Sequence, residues 1–120
     1  KRLRAGPLLP PRRVGEWARA VVQRYSIRPQ RPDLPAAALS GGNRQKVVVG
    51  RELDGEPDVL IAVHPTRGLD VRAESDVHRM LRDAKARGCA ILLVSADPDE
   101  LAALADRVLV MSRGKWKVSA

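Results

Sequence analysis

At 120 residues and 13.1 kDa, the chain has the size of one small domain or of a piece of a larger one. Its 44% hydrophobic content supports a core that Leu, Val, Ile and Ala must fill, because Phe is absent and only 2% of residues are aromatic. The single cysteine excludes an internal disulfide and points to a reducing, cytosolic setting, and no apolar run approaches the ~20 residues that span a bilayer.

The net charge of +8 belongs to one segment. Residues 1–31 carry nine Lys or Arg against a single acid, Glu16, while residues 32–120 carry thirteen of each sign and cancel. Such a basic stretch could meet nucleic acid or anionic lipid. It lacks the interleaved aromatics of a single-strand binder, so it reads as a solvated face and no nucleic-acid partner is expected. The N-terminus has no apolar h-region for a secretory signal. It also has no initiator Met, so the sequence reads as a cut or partial product.

Residues 5–13 are rich in proline and read as an extended lead-in. The spacing of Val14, Trp17, Ala18, Val21, Val22 and Tyr25 predicts an amphipathic helix over 14–25. Three prolines in "SIRPQRPDLPAA" make the next stretch a loop. A second helix is expected from "LSGG" to Gly55, beyond which Pro57 forbids continuation. "DVLIAV" is a continuous apolar run, the mark of a strand buried on both faces of a parallel sheet.

After a turn at Pro65–Gly68, Asp70 can cap a helix with Val71, Val77, Leu81 and Ala84 on one side. Gly88 ends it, with His78 expected to face solvent. "CAILLVS" is a second buried strand, with Cys89 in the core. "DPDE" reads as a capping box, with Asp97 as cap, Pro98 in the first helical position and Glu100 reaching back. A helix over 98–105, a strand at "RVLVM" and a last strand near Trp116–Val118 complete an α/β order.

The chemistry begins at "LSGGNRQK". Ser40 precedes a helix, and Gly41 and Gly42 leave its first amides uncovered. Unpaired N–H groups and the macrodipole both favour an anion there, the Ser40 hydroxyl can donate, and glycine lets a phosphate approach the backbone. A bare Ser-Gly-Gly reads better as an ordinary helix cap with a flexible entry.

The motif is not bare. "LSGGNRQKVVVGREL" followed by "PDVLIAVHPTRGLD" resembles the signature motif, Walker B segment and D-loop of ATP-binding cassette (ABC) transporter ATPases. "PTRGLD" is most similar to the second cassette of double-cassette importers for simple sugars and nucleosides, and "ILLVSADPDELAALADRVLVM" runs in register with the family's switch segment. The implied fold is that of a P-loop NTPase-like ABC cassette, C-terminal half only: a signature helix, parallel strands and crossover helices, with the P-loop strand missing. Residues 1–13 would then be a basic lead-in, 14–56 the helical subdomain with the signature motif, and 57–120 the C-terminal part of the α/β ATPase core.

The departures from the family pattern are concentrated in its catalytic half. No G-x-x-x-x-G-K-[ST] motif is present. Val63 and His64 match the family's Asp–Glu before "PT". Valine offers Mg²⁺ no oxygen ligand, so no metal site is expected. His64, at the position of the catalytic Glu, could accept a proton near neutral pH, but phosphoryl transfer relies on positioning and electrostatics that a lone base does not supply. Ala96 stands where the switch histidine belongs.

The resemblance therefore implies an own site that is degenerate, and a signature motif that works in trans. Ser40, Gly41, Gly42 and Gln45 would close over ATP and Mg²⁺ held mainly by a partner cassette, and Asp70 would lie at the seam between cassettes. The implied partners are a second cassette or the N-terminal half, together with membrane permease subunits, on the inner face of the cell membrane. The chain alone should not hydrolyse ATP. The alternatives are a non-enzymatic basic module for nucleic acid and an inactive truncated remnant. Without a central strand beside residues 90–95, an exposed apolar edge and a partner-dependent or swapped species are expected.

Overall fold

The computed structural model describes residues 10–119. The early part of the basic lead-in lies outside them. Helix α1 runs from Pro11 to Arg24, three residues earlier than its periodicity predicts. Pro11 stands in the first helical position, where a fixed φ suits the helix and a missing N–H costs nothing. Residues 11–13 are therefore helix and not extended lead-in. Val21 and Val22 pack against the core, and the Trp17 indole Nε1–H donates to Asp54 Oδ2 at 2.6 Å.

A single 3₁₀ turn at Ala36–Ala38 interrupts the loop that follows. Helix α2, Gly41–Asp54, ends at Gly55 as expected. Strand β1, Val59–Val63, and strand β2, Ala90–Val94, pair in parallel, with Val59 opposite Ala90 and Val63 opposite Val94. The chain crosses between them through helix α3, Val71–Ala86. Gly88, at φ +95°, turns the chain out of α3 and into β2.

Helix α4, Pro98–Leu104, leads to strand β3, Val108–Ser112, and strand β4, Lys115–Ser119. β3 and β4 form an antiparallel hairpin closed by Arg113 and Gly114, both at positive φ. A two-residue loop of this kind matches the twist of its flanking strands.

The core lies where α2 and α3 meet the end of α1 and the start of β2. Tyr25, Ile27, Val49, Leu53, Val77, Met80, Leu81, Ala84 and Cys89 form one buried cluster. Gly50 is required inside α2 because a Cβ there would come within 2.6 Å of the Tyr25 ring.

Four further expectations are corrected. Val71 is exposed, since it precedes the stripe of α3 that meets α2. His78 is buried and not solvent-facing. Glu100 does not reach back to the start of α4. The amide of Asp97, to which a capping box would bind it, donates instead to Ser95 Oγ. Finally, β1 is not buried on both faces. Leu60 and Ala62 turn towards α3, but Val59, Ile61 and Val63 are each at least 60% exposed. Among the described residues the hairpin forms a separate sheet, so β1 and β2 have only each other.

Candidate functional site

The signature residues form one end of α2. Ser40 is the N-cap: its Oγ accepts from the Asn43 backbone N–H at 3.3 Å and from Asn43 Nδ2 at 2.9 Å. A serine hydroxyl has two acceptor sites and one donor, and these two bonds use both acceptor sites. Asn43 is held in turn by the Arg28 backbone N–H, which donates to its Oδ1 at 2.8 Å.

The two glycines differ. A Cβ at Gly41 would meet nothing within 4 Å, whereas one at Gly42 would fall 2.5 Å from Ala73 Cβ in the first turn of α3. Gly41 faces open space, and Gly42 lets two helix N-termini sit side by side.

Those two termini are electrostatically unlike. α3 is capped by Asp70, whose carboxylate accepts from the Ala73 N–H at 2.9 Å, and carries Glu74 in its first turn. α2 has a neutral cap and no acid in its first turn. The positive end of the α3 dipole is thus compensated within the chain, and that of α2 is left for an external anion.

Gln45 joins this end to the end of β1: its Nε2 donates to the Pro65 carbonyl at 2.6 Å. His64, immediately before, adopts φ +47°, and its backbone N–H donates to Val94 O at 2.8 Å. His64, Arg67, Ser95, Ala96, Asp97 and Glu100 are among the residues lining an open cleft of about 580 Å³.

Sequence reasoning missed what holds this cleft. Glu100 is 2% exposed. Its Oε1 accepts from Thr66 Oγ1 at 2.6 Å and lies 3.3 Å from His78 Nε2, which is 3.9 Å from Glu74 Oε1. One buried carboxylate therefore ties the turn after β1 to both α3 and α4. The only sequence signal for it is spacing: His78 stands three residues before core Leu81.

Val63 and His64 do end β1 beside the cleft, but neither supplies a carboxylate. Among the described residues no group of three His, Cys, Asp or Glu could hold a metal ion. A hard cation such as Mg²⁺ does not fit the end of β1. Thus Ser40, Gly41, Gly42, Gln45, Asp70 and His64 occupy one contiguous region, with a neutrally capped helix end on one side and a strand end poor in oxygen ligands on the other.

No protein-family model matches the chain. The chain is 46% identical over 99 residues to the xylose import ATP-binding protein of Burkholderia ambifaria, covering 82% of this chain and 19% of that one. To the guanosine import ATP-binding protein of Bacillus subtilis it is 45% identical over 98 residues, covering 82% and 19%. To a ribose import ATP-binding protein of Rhizobium meliloti it is 41% identical over 108 residues, covering 90% and 21%. The chain thus spans about a fifth of the length of these curated relatives.

In structure, it superposes on a metal-chelate type ABC transporter in an inward-facing conformation with a TM-score of 0.80 at 18% identity, over 98% of this chain and 47% of that one. It matches an ATP-binding cassette in its ADP conformation with a TM-score of 0.75 at 23% identity, over 93% and 44%. The motif order, the fold and these sequence relatives agree: the chain belongs to the ATP-binding cassette family.

Proposed function

We propose that the chain serves in the ATPase of an importer for simple sugars or nucleosides, where its signature end completes an ATP site whose metal and P-loop belong to a partner cassette. The observation that carries this reading is the pairing of unlike helix ends. The N-terminus of α2 is exposed, neutral and open at Gly41, while the adjacent α3 is already compensated by Asp70 and Glu74. An oxyanion approaching this pair is drawn to α2 and repelled by the acids of α3.

Ser40 donates its hydroxyl proton to that oxyanion, the amides behind Gly41 supply further donors, and Asn43 keeps the cap in position. Gln45 acts by holding the α2 tip to the Pro65 turn, and Asp70 faces the partner cassette. Residues 14–56 form the helical subdomain and 57–120 belong to the α/β core. ATP and Mg²⁺ are held mainly across the seam, because Val63 and His64 offer no metal oxygen. The assembly works on the cytoplasmic face of the membrane, against permease subunits. Among the described residues no helix is long and apolar enough to cross a membrane.

The test is ATP turnover. The purified chain alone is expected to hydrolyse no ATP. Assembled with a P-loop-bearing cassette of the xylose-import type, it should support turnover that Ser40→Ala lowers about 10²-fold, the scale of removing one preorganised oxyanion donor. His64→Ala should leave that turnover unchanged. Hydrolysis by the isolated chain, abolished by His64→Ala, would overturn the assignment of roles.

A further inference from the structure

Helix α1 carries its charge on the side away from the core. Arg12, Arg13, Arg19 and Arg24 are all exposed, while Val21 and Val22 pack inward. Helical periodicity puts Arg12 and Arg19 on one stripe and Arg13 and Arg24 on the next. Gly15 lies between the first two, and the Arg19 guanidinium folds back over it. Its Nη1 is 3.6 Å from where a Gly15 Cβ would stand, which brings the Arg19 charge along the helix towards Arg12.

Little in the fold balances this ridge. Among the described residues Arg12, Arg13 and Arg19 have no carboxylate within ion-pair distance, and Arg24 has only Asp54 at 3.8 Å. Residues 1–24 hold seven basic side chains and one acid, Glu16. The first turn of α1 has neither an acid nor a side-chain cap, so Arg12 and Arg13 sit where the helix dipole is already positive. Helix stability alone favours acids there. A local rule broken without a compensating contact inside the fold points to compensation from outside.

We propose that the exposed face of α1 is a docking surface for a bilayer containing anionic phospholipid. Charge complementarity selects the occupant, since clusters of about four to eight Lys or Arg on a helix bind anionic headgroups. The face has no aromatic side chain on which a base could stack, because Trp17 turns inward to Asp54. Its apolar side is taken by the core, so the helix can lie on a charged plane without inserting. The preference for a membrane over nucleic acid rests in part on the role proposed for the chain beside a permease.

The test uses the full chain, without ATP or permease. The chain should sediment with phosphatidylcholine vesicles containing about one-third phosphatidylglycerol and stay in solution with phosphatidylcholine alone. Salt at about 1 M, where the Debye length is ~3 Å, should release it. Arg12→Glu combined with Arg19→Glu should weaken vesicle binding roughly tenfold or more. The same pair should leave the melting temperature equal or higher, because an acid at position 12 suits the helix start. Glu16→Gln should tighten binding.

Equal binding to neutral vesicles would overturn the proposal. So would indifference to the two arginine reversals, or tighter binding to an oligonucleotide duplex than to the anionic vesicles. Ser40→Ala should leave vesicle binding intact, and the arginine reversals should leave trans ATP turnover in solution intact. Loss of the ATP site and loss of membrane docking are thereby distinguishable.

Discussion

Replacing Asp76 by Ala should destabilise the chain by about 3–5 kcal/mol, the scale of stranding one member of a buried ion pair. Lys46 is only 6% exposed although it carries a full charge. Its Nζ lies 2.9 Å from Asp76 Oδ2 and donates to the Ser26 carbonyl at 2.7 Å. Asp76 also holds Arg79 at 2.9 Å, but Arg79 reaches solvent and loses little.

The ammonium would keep one neutral carbonyl and no counter-charge, so the loss should fall towards the lower end of that range. Urea denaturation measures it. A change below ~1 kcal/mol would place the pair with surface bridges and refute its burial. Lys46→Met combined with Asp76→Leu should recover most of the stability, because an apolar pair of similar volume needs no desolvation.

Gly42→Leu should cost at least the ~1–3 kcal/mol typical of overpacking. The obstacle is Ala73 Cβ at 2.5 Å, an atom fixed to the backbone of α3 that no rotamer change can move aside. Either α2 and α3 separate at their tips or the first turn of one unwinds. Gly41→Ala should leave the melting temperature nearly unchanged, since its Cβ would meet nothing within 4 Å.

A double-mutant cycle using Gly42→Ala and Ala73→Gly checks the cause: removing the Ala73 methyl should recover part of the loss, and strict additivity would show that the two do not touch. The pair of glycines thus divides its work. Gly42 serves helix packing, and Gly41 faces open space.

The order of elements was legible because each is punctuated locally. Ser40, Asp70 and Asp97 cap three helices, Gly55 and Gly88 mark two ends, and the two aliphatic runs are short enough to be strands. The candidate site was legible for a different reason: its residues are contiguous in "LSGGNRQ" and "VHPTRGLD", so no long-range contact had to be inferred.

What sequence reasoning could not reach was tertiary. His78 has charged neighbours at Arg79 and Asp76, and nothing local says that Glu100, twenty-two residues on, comes to its side. Glu100 fits a capping box by spacing, and only the proximity of Thr66 draws its carboxylate elsewhere. Lys46 follows Gln45 in a polar stretch and is buried because Asp76 arrives from α3. The aliphatic strands promised two covered faces, and the run of Val and Ile that signals such a strand is silent on whether the cover is present.

The bond from Gln45 to the Pro65 carbonyl has a mechanical consequence. With Gly42 seated on Ala73, it fastens the tip of α2 at two points, one on the strand end and one on the next helix. The tip cannot swing alone. Through Thr66 and Glu100 the same turn is also joined to α4, so side-chain contacts link the α2 tip, the turn bearing His64 and α4 in series.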